Sequence, residues 1–310
     1  KISDYITKKV ADKLSGMCKT DRENYEKYWD DISPFIKFGC IKDEKFCERM
    51  MEYVLFKDLD GKYTTMNEYL EAQKPAAGEA ETDKAEEKTE EKADEKADGE
   101  EKEAPKTTIY YVTDVVQQSQ YINMFKEAGI DAVILPNPID APFMQHVEQK
   151  NEGLKFLRID ADVNETFKET EETDEVAKEQ EKKDAETLAE VFKKAIGNDK
   201  LNVKVEKLKN EGLASMITVS EESRRMQDMM KMYSMYGGGS DMFPAEETLV
   251  LNANNGLVKY VLANKDGEKT PMLCEQLYDL AKLAHGSLSP ERMTKFIARS
   301  SEIMKEEYGA

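Results

Sequence analysis

Apolar residues recur at helical spacing through roughly the first seventy positions of the chain. Three groups of such apolar residues follow one another along this part of the chain. They comprise Ile6, Val10, Leu14 and Met17; Tyr25, Tyr28, Trp29, Ile32, Phe35 and Ile36; and Phe46, Met50, Met51, Tyr53, Val54 and Leu55. The pattern predicts three helices in a row, packed around Trp29. A short extended piece at 62–70 then enters another helix, with Thr65 or Asn67 as its cap.

Strand and helix patterns alternate in the next ordered stretch. The predicted strands are Thr107–Asp114, Ala132–Leu135 and Lys155–Ile159, with helices around Tyr121 and Phe143 between them. Alternation at these lengths predicts a small parallel α/β layer. The turn after the first strand lacks the Gly-x-Gly-x-x-Gly pattern that lets backbone approach a pyrophosphate, so dinucleotide binding is not expected.

The last part of the chain, from about Ala185, mixes both patterns. A helix ends at Gly197, and two alternating segments, 203–208 and 215–219, predict an antiparallel pair of strands. A third strand at 248–251, a short helix at 256–262 and two amphipathic helices separated by 289–291 follow. Such a terminal helical hairpin cannot bury both of its sides on so small a sheet. Self-association through a four-helix arrangement is therefore expected.

Methionine is concentrated in one segment of this last part. The segment opens with Ser220-Glu221-Glu222, which is typical of a capped helix start, and it ends at three glycines, 237–239. Met226, Met230 and Tyr233 fall on one face, and further methionines cover a second. One interpretation is a core helix with methionine as gap-filler. The other is an exposed binding surface, because flexible thioethers conform to irregular partners.

Composition and charge argue against several classes of function. The formal net charge of −19 argues against sequence-independent binding to nucleic acid or to an anionic membrane, since both need basic surface. No apolar run approaches the roughly 20 residues that span a bilayer, and no signal-peptide pattern is present. The chain begins at Lys1 already in helical rhythm, which suggests a piece of a longer protein. Its 310 residues are enough for about two to three domains.

Two acidic stretches interrupt the apolar pattern. Residues 74–106 hold thirteen acids and seven lysines without any leucine, isoleucine, valine or aromatic residue, so a disordered insertion is expected. Residues 160–183 are acidic as well, and the spacing of a calcium loop is missing. A solvated linker is expected there, with an interaction tract as the alternative interpretation of the first stretch.

Recognisable enzyme chemistry is missing from the sequence. His146 and His285 have no Ser or Cys partner at a known motif spacing, so both are interpreted as surface or helix-end histidines. The four cysteines have no metal-ligand spacing and are expected to be reduced, partly buried thiols: Cys18, Cys40, Cys47 and Cys274. The sequence predicts no catalytic, cofactor or metal site.

Several local strings occur in one order along the chain. They include Tyr25-Glu26-Lys27-Tyr28-Trp29-Asp30-Asp31-Ile32, Ile109-Tyr110-Tyr111-Val112-Thr113, Ser223-Arg224-Arg225-Met226 and Leu273-Cys274-Glu275-Gln276-Leu277-Tyr278-Asp279-Leu280-Ala281. In this order they resemble the heat-shock-protein-90 chaperone family, of the bacterial HtpG type. The resemblance covers the chain apart from 74–106. The chain end lacks the Met-Glu-Glu-Val-Asp tail of cytosolic eukaryotic members, which favours a bacterial source.

The resemblance implies a mixed α/β fragment with a definite domain order. Its parts would be a helical part of the middle domain (1–73), an acidic insertion (74–106), a small α/β middle subdomain (107–160), an acidic linker (161–184) and a C-terminal dimerisation domain (185–310). In the dimer, terminal helices of two copies would form a four-helix bundle. The ATP-binding domain and the ATP-sensing arginine would lie upstream, so ATP and Mg²⁺ belong to the full-length protein and are not expected to bind this fragment.

The resemblance also assigns residues and partners. Client-binding positions would be Met226, Met230, Tyr233, Phe143, Met144 and Gln145. Dimer-interface positions would be Leu273, Leu277, Leu280, Ala281, Met293, Phe296 and Ile297. The expected partners are a second copy, unfolded or partly folded client proteins and another chaperone system, in the cytoplasm and under stress. Two alternatives remain: a structural dimerisation arm with client binding elsewhere, and an enzyme with a nucleotide site at 109–159.

Overall fold

The computed structural model describes residues 2–72, 107–161, 167–169, 175–226 and 246–308. The chain divides into two compact units. Unit 1 comprises Lys1–Ile109 and Pro142–Phe156, and unit 2 comprises Tyr110–Ala141 and Leu157–Ala310. The whole predicted insertion, 74–106, and the glycines at 237–239 lie outside the described residues.

Unit 1 begins with the three helices that the apolar stripes predict. Its elements are α1 (Ile2–Thr20), α2 (Arg22–Lys42), α3 (Glu44–Met50), a 3₁₀ turn (Met51–Tyr53), β1 (Leu55–Asp58), β2 (Tyr63–Thr65) and α4 (Met66–Ala72). Trp29 is buried, with its ring centroid 5.5 Å from that of Tyr25, so the predicted core around it is confirmed. β1 and β2 form an antiparallel hairpin in which Leu55 lies opposite Thr65.

The predicted cap of α4 is Thr65. Its hydroxyl accepts from the Glu68 backbone N–H at 3.3 Å, and the Glu68 carboxylate accepts from the Thr65 N–H at 2.7 Å. This reciprocal pair is a capping box, which satisfies two backbone donors at the helix start.

The α/β stretch follows the predicted order of elements. These are β3 (Thr107–Val112), α5 (Ser119–Glu127), β4 (Val133–Ile134), α6 (Asp140–Lys150) and β5 (Leu154–Arg158). Strands β4, β3 and β5 lie side by side in that order. β3 and β4 are parallel, with Tyr111 opposite Val133, as the alternating pattern predicts.

The second sheet corrects one prediction. Its strands are β6 (Asn202–Glu206), β7 (Ser215–Val219) and β8 (Glu247–Asn252). β6 and β7 do not pair with each other, because β8 lies between them, parallel to β6 and antiparallel to β7. The expected antiparallel pair is therefore wrong. The physical reason is burial: Leu249, Val250 and Leu251 are all fully buried, and a central strand buries both of its faces.

Helices complete unit 2. They are α7 (Glu175–Ile196), α8 (described over 221–226), α9 (Gly256–Ala263), α10 (Thr270–His285) and α11 (Pro290–Tyr308). α7 begins at Glu175, inside the stretch expected to be a solvated linker. Phe192, Leu249 and Leu277 belong to one buried cluster in which α7 and α10 pack against the sheet. The mixed α/β class is confirmed.

Candidate functional site

Asp160 lies directly after β5, among buried cations, and is only 1 % exposed. Arg158 donates from Nε to Asp160 Oδ1 at 2.5 Å and from a second nitrogen to Oδ2. Arg224, in α8, donates to the same Oδ2 at 3.1 Å. One carboxylate thus accepts hydrogen bonds from two arginines away from water. Arg158, Asp160, Arg224 and the neighbouring His285 are called the Asp160 network below.

The carboxylate of this network is ionised. Burial by itself raises the pKa of a carboxyl group, because the charged form loses solvation. At Asp160 the hydrogen bonds and charge of Arg158, together with the charge of Arg224, outweigh burial and hold the pKa below its usual value. A buried charge of this kind is stabilised by its ion-pair partners. Removing one partner is destabilising, because it leaves a buried charge without compensation.

His285 lies at the C-terminal end of α10, beside the same carboxylate. Its Nδ1 is 3.5 Å from Asp160 Oδ2, and its ring meets the Tyr121 ring edge-on. Burial lowers the pKa of His285, and although the charge of Asp160 opposes this, the pKa stays below its ordinary value. The imidazole is therefore neutral at pH 7.

Glu221, the first residue of α8, ties that helix to β3 and β5. Its carboxylate accepts from the Tyr111 hydroxyl at 2.9 Å and from the Arg158 backbone N–H at 3.1 Å. Arg225 donates to it from the next turn at 2.9 Å. Because Arg224 joins the Asp160 network as well, two consecutive turns of α8 are fixed by buried or half-buried charges.

The start of α8 is capped as predicted. Ser220 Oγ accepts from the Ser223 backbone N–H at 3.2 Å. Ser223 stands where a full capping box has Glu or Gln, so only half of the box is formed. Met226, at the end of the described part of α8, is 50 % exposed. Met230 and Tyr233, the other two residues predicted on this face, lie outside the described residues.

The second predicted client-binding group lies on α6. Phe143 and Met144 are buried in unit 1, and Gln145 is exposed. Direct contact through the first two would require them to leave this packing. The client-binding role of all three residues stays a prediction.

A second ion network joins α10 to α11. Asp279, whose side chain is 1 % exposed, accepts hydrogen bonds from Arg292 and Arg299. Arg299 also donates to Glu275 Oε2 at 2.6 Å and to Gln276 Oε1 at 2.8 Å. These five residues, called the Asp279 network below, fix the two helices of the terminal hairpin against each other.

The residues predicted for a dimer interface divide into three groups. Leu277 and Ala281 belong to the buried core of unit 2. Leu280 and Ile297 are 47 % and 57 % exposed. The remaining three are half-buried: Leu273, Met293 and Phe296. The hairpin therefore presents some predicted positions to solvent and uses others for its own packing.

Sequence reasoning missed the Asp160 network. It placed Asp160 in a solvated acidic stretch, which is wrong because Asp160 is buried. It took His285 for an ordinary surface or helix-end histidine; His285 does end α10, but its contact with Asp160 was not predicted. The available signal was Arg158-Ile159-Asp160 at the end of a buried strand, where alternate residues share a face. The partner Arg224 lies too far along the chain for any local pattern to indicate it.

Within the described ranges, no group of three or more His, Cys, Asp or Glu side chains is arranged to hold a metal ion. In the same part of the chain, every helix is too short or too polar to cross a bilayer.

Comparison with known proteins gives the family. A family model described as Hsp90 protein matches residues 1–80 and 100–310. The chain belongs to the Hsp90 family. The resemblance read from the sequence is thus confirmed, and the unmatched residues of this Hsp90-family chain, 81–99, fall inside the predicted acidic insertion.

Named relatives agree with this assignment. Chaperone protein htpG of Bacteroides fragilis (strain YCH46) is 34 % identical over 277 residues, which cover 86 % of this chain and 36 % of the relative. Chaperone protein HtpG of Porphyromonas gingivalis (strain ATCC 33277) is 32 % identical over 290 residues, 91 % of this chain and 38 % of the relative. A Bdellovibrio bacteriovorus HtpG is 24 % identical and matches 96 % of this chain. The chain spans little more than a third of the length of the first two relatives.

Proposed function

We propose that this chain is the part of an Hsp90-family chaperone that holds partly folded client proteins and joins two copies of the protein. The single observation that carries the client-holding role is the base of α8. The buried Arg224–Asp160 ion pair and the hydrogen bond from the Arg158 backbone N–H to Glu221 fix its start, and the exposed Met226 follows. Membership of a family whose named relatives are chaperones supports the same conclusion.

A helix with a fixed start and a flexible methionine side chain suits a surface that binds clients of many different sequences. Arg224 cannot move without breaking a buried ion pair, and Glu221 cannot move without breaking its hydrogen bond to the Arg158 backbone, so α8 starts from a defined position and direction. Methionine has three rotatable bonds and a polarizable sulfur, so it conforms to irregular apolar surface. Little conformational entropy is then lost in the backbone when a client binds.

Self-association rests on the terminal hairpin. Leu280 on α10 and Ile297 and Met304 on α11 are about half exposed, while the Asp279 network holds the two helices together. Exposed apolar residues on two neighbouring helices fit an antiparallel packing with the same hairpin of a second copy. In the whole protein, ATP and Mg²⁺ would bind outside this chain, and no step of ATP hydrolysis is assigned to its residues.

The client-holding proposal is tested with Met226→Glu combined with Met230→Glu. We expect this double variant to lose most of its ability to suppress the aggregation of a denatured test protein, because two carboxylates replace the adaptable apolar surface. The sedimentation mass should not change. Val116→Glu adds charge at another exposed apolar residue of unit 2 and serves as the matched control.

The outcome separates two functions. If the double variant suppresses aggregation as well as the parent, the chain is a structural dimerisation arm, the second candidate function, which the exposed Leu280 and Ile297 favour. If the fold or the dimer is lost instead, Met226 and Met230 are packing residues and the client-holding proposal is wrong.

Dimerisation is tested with Leu280→Glu combined with Ile297→Glu. Sedimentation equilibrium should give the monomer mass with unchanged helical circular dichroism. Leu277 is unsuitable for this test, because it is 2 % exposed in the core and its replacement would unfold unit 2. A persistent dimer would place the interface elsewhere.

A further inference from the structure

One oxygen of the Asp160 network is approached by three nitrogen-bearing side chains. Asp160 Oδ2 accepts hydrogen bonds from Arg158 and, at 3.1 Å, from Arg224. His285 Nδ1 lies 3.5 Å from the same oxygen and has no hydrogen-bond partner among the described residues. A carboxylate oxygen offers two lone pairs, so the two arginines already occupy Oδ2. A third donor can bind this oxygen only by displacing one of them.

Arg224 is the easier of the two arginines to displace. Arg158 donates to both oxygens of Asp160 and stands two residues before it, at the end of β5. Arg224 donates to Oδ2 from α8, 64 positions away along the chain. Release of Arg158 would break a bidentate pair within one strand end, which is the stronger kind of contact. Release of Arg224 leaves that pair intact and leaves α8 held at Glu221.

Uncharged and paired groups form the rest of the surroundings of His285. The Tyr121 ring of α5 meets it edge-on, and burial raises the pKa of the Tyr121 hydroxyl, which is therefore neutral. Gln117 donates to the His285 carbonyl at 2.5 Å and holds the end of α10. Glu247 of β8 pairs at 2.6 Å with Lys282, one turn before His285, and thus has a cationic partner of its own.

Protonation of His285 and departure of Arg224 together leave the net charge beside Asp160 unchanged. With a neutral ring, two arginines and one carboxylate carry a single net positive charge. Protonation with both arginines in place would add a second positive charge to a buried site, which is costly without a counter-ion. The imidazolium carries an N–H on both ring nitrogens, so Nδ1–H replaces Arg224 on Oδ2 after a shift of about 0.5 Å.

We propose that His285 is an acid-sensitive release for α8: its protonated ring displaces Arg224 from Asp160 and loosens the start of the helix that carries Met226. The release itself is a property of the fold, and its effect on clients rests on the client-holding function proposed above. A loosened α8 loses more conformational entropy when a client binds. Client holding should therefore weaken as the medium becomes acidic.

The direction of the pH response follows from the same contacts. While α8 is in place, burial lowers the pKa of His285, the charge of Asp160 opposes this, and the charge of Arg224 adds to it. When Arg224 leaves, one repelling charge is removed and water enters, so the pKa returns towards its ordinary value near 6.5. The loosened state binds the proton more tightly. It is therefore favoured below about pH 6.5, by at most about tenfold per pH unit.

Hydrogen exchange at pH 7 and pH 5.5, corrected for the intrinsic exchange rate, tests the release. We expect protection of the amides at 224–226 to fall by roughly threefold to tenfold at the lower pH, relative to the α11 amides. His285→Gln keeps a polar side chain that cannot be protonated, and it should abolish the fall. His146→Gln removes the other histidine of the chain, in unit 1, and should leave the fall intact.

Three results of this experiment would overturn the proposal. The first is protection at 224–226 that does not change with pH in the parent chain. The second is an equal fall in α11, because His285 would then act on global stability alone. The third is a fall that persists in His285→Gln, because another group would then be the one that titrates.

Thermodynamic linkage gives a reciprocal test on the histidine itself. The chain has two histidines, so an NMR titration in the His146→Gln background follows His285 alone. Adding Arg224→Gln removes the competing cation and should raise the proton affinity of His285 by roughly threefold to tenfold. An unchanged proton affinity would show that His285 and α8 are not coupled. If His285→Gln fails to fold by circular dichroism, this titration decides; if Arg224→Gln fails to fold, hydrogen exchange decides.

Suppression of aggregation at pH 5.5 separates this inference from the proposed function. The parent chain should protect a denatured test protein less well than His285→Gln does at this pH, and equally well at pH 7. If the amides at 224–226 lose protection but the parent and the variant hold the test protein equally at both pH values, the release is correct and α8 does not hold clients.

Discussion

The two ion networks of unit 2 have the same residue types at their centre and differ in how far apart along the chain their members lie. Each surrounds a buried aspartate with two arginines. Asp160 takes Arg158 from the same strand end and Arg224 from α8, and His285 comes from the end of α10. Asp279 takes both arginines from α11, the helix that follows its own.

The Asp160 network therefore joins segments that are far apart in sequence, and the Asp279 network joins two consecutive helices. Loss of the Asp160 network frees α8 from the strand end to which it is tied. Loss of the Asp279 network loosens one hairpin, where Arg292 remains a third exposed and Arg299 keeps Glu275 and Gln276. Water can therefore compensate part of the loss at Asp279, whereas Arg158 and Arg224 are both almost fully buried.

The largest expected effect comes from removing each central charge. Asp160→Asn should cost about 3–5 kcal/mol of unfolding free energy, because two almost fully buried arginines lose the carboxylate charge that they share. Asp279→Asn should cost less, about 1.5–3 kcal/mol, because Arg299 keeps its other acceptors. Chemical denaturation monitored by circular dichroism measures both. Equal losses of unfolding free energy in the two variants would show that burial and the sequence separation of the partners do not distinguish the networks.

Glu221→Gln gives an intermediate effect on the Asp160 side alone. The amide still accepts a hydrogen bond but loses the charge that Tyr111, Arg158 and Arg225 share, at a cost of about 1–2 kcal/mol. Protection of the α8 amides from hydrogen exchange should fall by about tenfold or somewhat more, while the α11 amides are unaffected. Glu222→Gln, at the exposed neighbouring residue, is the control, and an equal loss there would contradict the anchoring role of Glu221.

The smallest expected effect is a pH dependence of stability that arises in the Asp160 network. The folded-state pKa of His285 lies below its usual value near 6.5, so the unfolded chain binds a proton first as the pH falls. Stability is therefore complete above about pH 6.5 and declines as the pH falls towards the lowered folded pKa, by at most about 1.4 kcal/mol per pH unit.

His285→Gln should remove this part of the pH profile between pH 7 and 5. Unfolding free energies across that window measure it. The ionised Asp160 adds a loss only below about pH 4, because a lowered carboxyl pKa stabilises the fold above its unfolded value. An unchanged profile in the variant would mean that His285 does not titrate differently on folding.

Local pattern was enough to predict most elements, because periodicity, caps and turn residues act within a few positions. The three opening helices, the Thr65 cap and the terminal hairpin follow from such signals. Periodicity could not tell which of two apolar positions on α10 faces the core, so Leu277 and Leu280 were grouped although one is buried and the other exposed. The Asp160 network and the Cys47–His146 contact join residues far apart in sequence, and no pattern within one element encodes them.

The order of strands in the second sheet has a consequence for synthesis. β8 is the central strand, yet the chain reaches it last, and Asn202 of β6 finds its ladder partner only in Thr248. While the protein emerges from the ribosome, β6 and β7 have each been made before the strand that pairs with both. Their unpaired edges stay open to other chains until β8 arrives, and the long loop to be closed slows the step. A nascent chain of this design is, for that interval, itself in need of protection from aggregation.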